Sequence, residues 1–196
     1  MTQPIEFLFD VASPNAYLAW AALEAEGSAY EPVPVLLGGL FKITNNRTPM
    51  LAYAPVQGKL AYEMKEIDRY VARYGLTAYC FSSHFPPNTV TAMRAATAAR
   101  RDGALDRLLP GLMRAMWEED RNVSDAEVVR AVAGEAGLDA DALMAASGTP
   151  EVKDALKAQT QTAADRGAFG VPTFFVGDEM WFGKERVPAV LDAAGG

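Results

Sequence analysis

The sequence predicts an α/β fold in which a long helical segment divides a small β-sheet into two parts. Strand-forming residues are concentrated near the two ends of the 196-residue chain, over 5–9, 30–37 and 171–183. Between about residues 59 and 166, Ala, Leu, Met, Arg and Glu are abundant and recur with helical periodicity. Half of all residues are hydrophobic, which is enough to bury a substantial core.

The first part is predicted to be a strand, a helix and a second strand. Residues 5–9 are dense in β-forming side chains and predict a buried strand. Ser13 has the chemistry of a helix N-cap, Pro14 suits the first helical position, and Gly27 marks the helix end. The prolines within 30–37 are typical of an edge or irregular strand. This order predicts a parallel pair joined by a right-handed crossover.

The middle of the chain is predicted to be helical. The stretch "GGLFKITNNRTP", residues 38–49, contains Gly, Asn and Pro and predicts a loop. Pro110 is expected to break or kink its helix, and Ser124 followed by Glu127 matches a capping box. Helices are predicted within 58–75, 88–103, 104–120, 124–138 and 149–167. The aromatic residues of this segment are expected to pack in its core first and to contact a ligand second: Tyr62, Phe81 and Trp117.

The β character returns near the end of the chain. Gly177-Asp178 is a hairpin signal between two short strands, and residues 184–194 predict a closing helix. The order βαβ, helical block, ββα is that of a thioredoxin-like fold with an all-helical insertion between its two halves. We therefore expect a thioredoxin-like domain formed by 1–45 and 167–196, and a helical insertion domain formed by 46–166.

Composition and charge exclude several kinds of function. The net charge of −7 and the pI of about 4.8 argue against nucleic acid and against an anionic membrane surface. No apolar run is long enough to span a bilayer, and no secretion signal is recognisable, so we expect a cytoplasmic protein. A small anionic ligand needs only a local positive site. The candidates for such a site are Lys42, Arg47, Lys59 and Lys184, each of which could equally be a solvated surface charge.

The scarcity of cysteine and histidine narrows the chemistry further. Cys80 is the single cysteine, so the chain has no internal disulfide, no dithiol pair and no cysteine-based zinc site. We predict no metal site. His84 is the single histidine, and no G-x-S-x-G motif accompanies it, which disfavours a Ser-His-Asp hydrolase.

Two distant stretches would meet in the predicted fold. Ser13 begins the first helix, and Val171-Pro172 precedes the third strand. A proline at the latter place in this fold is usually cis, which leaves the N–H and C=O of Val171 free to pair with a peptide-like ligand such as glutathione. A serine at a helix N-terminus can donate a hydrogen bond to the thiolate of that ligand. The alternative is that Ser13 is an ordinary cap, worth about 1 kcal/mol.

These residues resemble a known family. The stretches "RGAFGVPTFFVGDEMWFGKERV" (166–187), "FLFDVASPNAYLAW" (7–20) and "LLGGLFKITNNRTP" (36–49) are similar to 2-hydroxychromene-2-carboxylate isomerases. Those enzymes are relatives of kappa-class glutathione transferases in the DsbA-like branch of thioredoxin-fold proteins. The chain departs from the family at Asn15 and Ala16, because an aromatic residue commonly follows the Ser-Pro pair. That difference puts the aromatic substrate preference in question.

The resemblance implies glutathione as cofactor and assigns roles in its site. Ser13 would activate the thiol beside Pro14, and Val171, before Pro172, would bind the cysteine backbone. Asn46 would contact glutathione, and Asn45 beside it is the alternative in the neighbouring register. The remaining implied contacts are Lys59 near glutathione or the substrate carboxylate, and Lys184 with Glu185 at the γ-glutamyl end.

The resemblance also implies a reaction and partners. The family interconverts 2-hydroxychromene-2-carboxylate and trans-o-hydroxybenzylidenepyruvate in naphthalene breakdown, by reversible thiolate addition to a small aromatic substrate. A homodimer is the family expectation. Alternatives are a kappa-like glutathione transferase, which releases the adduct, and a non-catalytic glutathione-binding module. A thiol-disulfide oxidoreductase is disfavoured because one cysteine cannot resolve its own mixed disulfide.

Overall fold

The computed structural model describes residues 3–195 and contains a four-stranded mixed sheet. Strand β1 (Ile5–Phe9) pairs in parallel with β2 (Glu31–Pro34) and antiparallel with β3 (Thr173–Val176), which pairs with β4 (Glu179–Phe182). The sheet order β2-β1-β3-β4 and the surrounding helices confirm the predicted thioredoxin-like fold. Gly177 forms the predicted hairpin turn with a φ of 59°, a conformation that glycine adopts without a Cβ penalty.

The helices surround this sheet, and most follow the predicted segments. A 3₁₀ turn, Lys184–Arg186, precedes the last helix. The helices are α1 (Pro14–Ala25), α2 (Leu37–Thr44), α3 (Pro49–Tyr53), α4 (Lys59–Tyr74), α5 (Val90–Arg101), α6 (Leu105–Trp117), α7 (Ala126–Glu135), α8 (Ala140–Ser147), α9 (Pro150–Asp165) and α10 (Val187–Gly195). Within residues 3–195, no helix is both long and apolar enough to cross a membrane.

The loop predicted over 38–49 is wrong, because most of it is helical. Helix α2 packs against α9, and Gly39 permits the close approach, since a Cβ there would lie 3.1 Å from the Cγ2 of Thr160. The first N–H of the helix, on Leu37, donates to the Asp10 carboxylate at 2.8 Å. Tertiary contacts therefore outweigh the local turn signals of the glycines and asparagines.

Three other local predictions also differ from the structure. Helix α6 is not broken at Pro110, because burial of the apolar residues on either side of the proline stabilises the helix; the alternative of a kink stays a prediction. Asp125, not Ser124, caps α7 and accepts the Glu127 N–H at 2.9 Å. The Ser124 hydroxyl instead accepts the N–H of Asn88 at 2.9 Å, so the capping-box prediction is wrong. The second strand is shorter than the predicted 30–37.

The aromatic residues of the helical segment divide between core and surface. Trp117 is fully buried, and its indole N–H donates to the Val11 carbonyl at 2.9 Å. Tyr62 and Phe81 are 53% and 41% exposed, so the expectation that both pack in the core is wrong. The indole hydrogen bond fixes the C-terminal end of α6 against the loop that leads to Ser13.

Helix α9 lies within the predicted insertion but packs on the sheet side of the molecule. It contacts β2 and α2, and the hydroxyl of its Thr160 accepts the Leu36 N–H at 3.0 Å. The division into 1–45 with 167–196 and 46–166 stays a prediction.

Candidate functional site

Ser13 lies where β1 passes into α1. The side-chain oxygen of Ser13 accepts the Ala16 N–H at 3.2 Å, as an N-cap does, and Pro14 occupies the first turn. The same hydroxyl donates to the carbonyl of Val171 at 3.3 Å, across a sequence separation of 158 residues. Ser13 is only 6% exposed. The cap function and a tertiary contact therefore coexist in one side chain.

The segment facing Ser13 contains the predicted cis proline. The Val171–Pro172 peptide bond is cis, and the Gly183 N–H donates to the Pro172 carbonyl at 3.0 Å. The predicted freedom of both Val171 groups is confirmed only in part, because its carbonyl accepts from Ser13. Among residues 3–195, we find no acceptor for the Val171 N–H. The Val171 N–H is thus a backbone donor for a peptide-like ligand, and it lies next to the α1 N-terminus.

Asn46 connects the end of α2 with this same segment. Its Nδ2 donates to the Phe169 carbonyl at 2.9 Å, and its Oδ1 accepts the Arg47 N–H at 2.8 Å. Asn45, at the C-terminal cap of α2, has a left-handed φ of 55°. Asn46 therefore binds the segment that leads into β3, two residues before Val171. Its predicted contact with glutathione stays a prediction.

Lys184 is buried, which makes the surface-charge alternative wrong for this residue. It is 3% exposed, its ammonium pairs with the Glu185 carboxylate at 2.5 Å, and its carbonyl accepts from the Tyr70 hydroxyl at 3.0 Å. Burial raises the pKa of Tyr70 above its ordinary value, so the phenol stays protonated and donates. The 3₁₀ turn that carries Lys184 contacts α1, which brings a buried positive charge to the helix that begins at Ser13.

Lys59 is not brought into contact with the other predicted residues. It begins α4, and its Nζ lies 3.7 Å from the centroid of the Tyr53 ring, a cation–π arrangement. In the described part of the chain, it forms no hydrogen bond or ion pair with Ser13, Val171 or Glu185. Its role toward a ligand stays a prediction.

The sequence prediction missed residues that adjoin the Ser13 loop. Asp10 follows β1 directly and is 1% exposed, a buried carboxylate that its position after an apolar strand could have indicated. Tyr79 stacks between Tyr17 and Trp117, at centroid distances of 5.5 and 6.3 Å. Its hydroxyl is buried without a hydrogen-bond partner among residues 3–195. These three stacked rings pack between α1 and the predicted helical insertion.

No group of three or more His, Cys, Asp or Glu residues that could bind a metal ion occurs within the described part of the chain. Cys80 is a free, half-buried thiol. The structure therefore brings together a helix N-terminus, a serine and the Val171 N–H, and it places a buried lysine on the 3₁₀ turn that contacts α1.

Comparison with known proteins agrees with this geometry. A family model described as a DSBA-like thioredoxin domain matches residues 4–195. The chain belongs to this family. Among its relatives, the 2-hydroxychromene-2-carboxylate isomerase of Sphingobium xenophagum is 29% identical over 192 residues, covering 95% of each chain. Glutathione S-transferase kappa 1 of Rattus norvegicus is 28% identical over 204 residues, covering 93% of this chain and 87% of the relative.

A solved DsbA-like structure extends the similarity to three dimensions. A 2-hydroxychromene-2-carboxylate isomerase superposes with a TM-score of 0.84 at 25% identity, over 97% of this chain and 94% of the other. These similarities support an enzyme of the isomerase or glutathione transferase kind.

Proposed function

We propose that this protein is a glutathione-dependent isomerase that interconverts 2-hydroxychromene-2-carboxylate and trans-o-hydroxybenzylidenepyruvate. The observation that carries the proposal is the position of the Ser13 hydroxyl. It lies at the α1 N-terminus and beside a Val171 N–H that has no acceptor within residues 3–195. A helix N-terminus and a hydroxyl donor both favour an anionic ligand atom.

The residues fit a bound glutathione. The Val171 N–H would pair with the carbonyl of the glutathione cysteine, in the manner of an added strand. The buried Lys184 and the exposed Glu185 would receive the carboxylate and the ammonium of the γ-glutamyl end, because their charges are opposite to those groups. The remaining predicted contacts, from Asn46 and Lys59, would lie at the edges of this site.

The mechanism follows from what the chain itself provides. When bound, glutathione would supply the thiolate that adds reversibly to the conjugated double bond of the opened ring and leaves after rotation about it. Ser13 would turn its hydroxyl from the Val171 carbonyl toward the sulfur and donate a hydrogen bond to the thiolate. The α1 N-terminus adds a fixed positive potential at the same place. Together these groups favour the ionised thiol before addition and after release.

The aromatic ring of the substrate would lie against the insertion. Phe81 is 41% exposed and meets Trp117 edge-on at 5.9 Å and Phe85 at 5.1 Å. Trp117 is hydrogen-bonded to the loop that precedes Ser13. An exposed aromatic face on a fixed indole suits stacking of a planar ring.

The test is a titration with reduced glutathione, followed by calorimetry and by the ultraviolet absorbance of the thiolate. We expect binding with a thiolate band at neutral pH, where a free thiol is only a few per cent ionised. Conversion of 2-hydroxychromene-2-carboxylate without net loss of glutathione completes the test. No binding at millimolar glutathione would overturn the proposal.

A kappa-like glutathione transferase is the second candidate, because a kappa-class relative is nearly as similar, at 28% identity, as the isomerase at 29%. The same site would then release the adduct. A chlorodinitrobenzene-type electrophile separates the two, since a transferase consumes glutathione stoichiometrically with product.

We also propose that the protein is a homodimer. Exposed apolar side chains are concentrated between the end of α2 and the first half of α4, a stretch that includes α3 and the connection after it. Such a concentration favours burial against a second copy. Light scattering that gives the mass of one chain at micromolar concentration would contradict the dimer. The exposed side chains are Ile43, Met50, Leu51, Val56, Tyr62 and Met64.

A further inference from the structure

Asp10 is a fully buried carboxylate that the proposed chemistry does not use. It is 1% exposed and directly follows the C-terminal end of β1, three residues before Ser13. Its Oδ1 accepts the Ala12 N–H at 3.0 Å, and its Oδ2 accepts the Leu37 N–H at 2.8 Å. Its own carbonyl accepts the Ser13 N–H at 3.0 Å. Both its side chain and its backbone are therefore bound to the turn that contains Ser13.

The same carboxylate joins segments that are distant in sequence. Leu37 is the first residue of α2, whose cap residue Leu36 offers no side-chain acceptor. The Asp10 carboxylate, from another segment of the chain, takes the role of the capping side chain. Its negative charge is stabilised by the helix N-terminus. Helix α2 ends beside Asn46, which contacts the segment that leads into β3 at Phe169. Asp10 thus connects the turn that contains Ser13 with α2, and the C-terminal end of α2 lies beside the segment that precedes Val171.

The protein retains this carboxylate despite the cost of burying it. Burial raises the pKa of Asp10, whereas hydrogen bonds from the backbones of Ala12 and Leu37 and from the Thr89 side chain act to lower it. A buried acceptor that joins the Ser13 turn to α2 is costly to replace, because its two backbone donors would be left without partners.

We propose that Asp10 is a positioning residue that holds the Ser13 hydroxyl in register with Val171. This inference rests on the proposed function of Ser13. Without the carboxylate, the turn from Asp10 to Ser13 loses its Ala12 bond and α2 loses its external cap. The serine would then keep its place on the helix but lose its fixed orientation toward the ligand thiol. The effect should therefore appear in the ionisation of the thiol and not in its binding.

The experiment uses Asp10→Asn, which preserves shape but replaces one acceptor with a donor. The matched control is Asp120→Asn, because Asp120 also accepts a backbone N–H, from Ser83 at 2.7 Å, but in the insertion and away from Ser13. We expect the thiolate fraction of bound glutathione at neutral pH to fall about fivefold in Asp10→Asn, with the dissociation constant changed less than about threefold. Asp120→Asn should leave both quantities unchanged.

The double variant Ser13→Ala/Asp10→Asn separates positioning from general damage. If Asp10 acts through Ser13, Asp10→Asn has no further effect on the thiolate fraction once Ser13 is alanine. An equal effect in both backgrounds would overturn the inference, as would a wild-type thiolate fraction in Asp10→Asn. If Ser13→Ala alone leaves the thiolate unchanged, the proposed role of Ser13 fails and the inference fails with it.

A milder variant applies if Asp10→Asn does not fold. Thr89→Val removes only the hydroxyl at the start of α5 that acts to lower the pKa of Asp10. It should lower the thiolate fraction in the same direction by about twofold. A thiolate fraction equal to that of the wild type in this folded variant would count against Asp10.

Discussion

Helices α1 and α9 begin with the same local motif, a hydroxyl residue followed by proline. Ser13 accepts the Ala16 N–H at 3.2 Å, and Thr149 accepts the Val152 N–H at 3.4 Å. The surroundings differ. The Ser13 hydroxyl also donates to a buried carbonyl 158 residues away, whereas Thr149 is half-buried and acts on the pKa of Glu151, two residues along the same helix.

This difference separates the cap from the site. The motif itself stabilises a helix start, and the same cap hydrogen bond is present at both places. What distinguishes the α1 end is the segment opposite it, whose Val171 carbonyl accepts from Ser13 and whose Val171 N–H has no acceptor within residues 3–195. The hypothesis that the Ser-Pro pair is functional therefore depends on the tertiary contact between Ser13 and Val171 and not on the pair itself.

Removal of each hydroxyl in turn should give the largest difference between the two helix starts. In Ser13→Ala, we expect the isomerase rate at neutral pH to fall about 100-fold, as when a donor to a developing anion is lost. Raising the pH should restore part of the rate, because free thiol then ionises without help. Steady-state assays should show an unchanged rate in Thr149→Ala. Similar rates in the two variants would remove the distinction between the helices.

The second test asks whether a ligand charge is bound near α1 and not near α9. Lys184→Met keeps the volume of the side chain but removes the buried ammonium. We expect glutathione affinity to fall about tenfold, as when a charge-assisted hydrogen bond is lost. Calorimetry of Lys157→Met, which alters an exposed lysine of α9, provides the control. Equal affinities would exclude Lys184 from the site.

The third test compares the two hydroxyls by stability alone. Thr149→Ala should lower the free energy of unfolding by about 1 kcal/mol, the usual value of a cap. Ser13→Ala should cost about 2 kcal/mol, because the buried Val171 carbonyl also loses its donor. Urea denaturation measures both values. A smaller cost for Ser13→Ala would show that its tertiary hydrogen bond adds nothing to the cap.

The smallest expected effect is the pH dependence of stability that comes from Asp10, near the start of α1, and from Glu151, near the start of α9. Burial raises the pKa of Asp10 above 3.8, so its contribution to stability is lost as the pH rises from that value. Hydrogen bonds from its own backbone and from Thr149 lower the pKa of Glu151 below 4.5, so its small contribution is lost as the pH falls. The free energy of unfolding should be measured for wild type, Asp10→Asn and Glu151→Gln across this pH range. The difference between wild type and Asp10→Asn should change with pH in the opposite direction to the difference between wild type and Glu151→Gln. Slopes of the same sign would contradict this assignment.

Local interactions allowed much of the fold to be predicted from the sequence. The Ser13-Pro14 helix start, the hairpin at Gly177 and the order of strands and helices all depend on residues a few positions apart. Their capping and turn preferences act in the same direction as the final fold. The pairing of Ser13 with the Val171 segment was also predictable, because the element order implies one topology.

Other features were decided by tertiary structure. The stretch 38–49 has loop-forming residues, yet most of it is helical because α9 and the Asp10 carboxylate stabilise α2. The sequence equally did not indicate that Lys184 is buried or that Phe81 is exposed.

The sequence alone determined the helix starts, the turns and the element order, since these depend on preferences between near neighbours. Only the tertiary structure decided which polar groups are buried and which of them face one another. Burial and long-range hydrogen bonds depend on residues that folding brings together from opposite ends of the chain, as with Ser13 and Val171. For that reason the same hydroxyl-proline motif caps one helix and, at the other, forms part of a candidate active site.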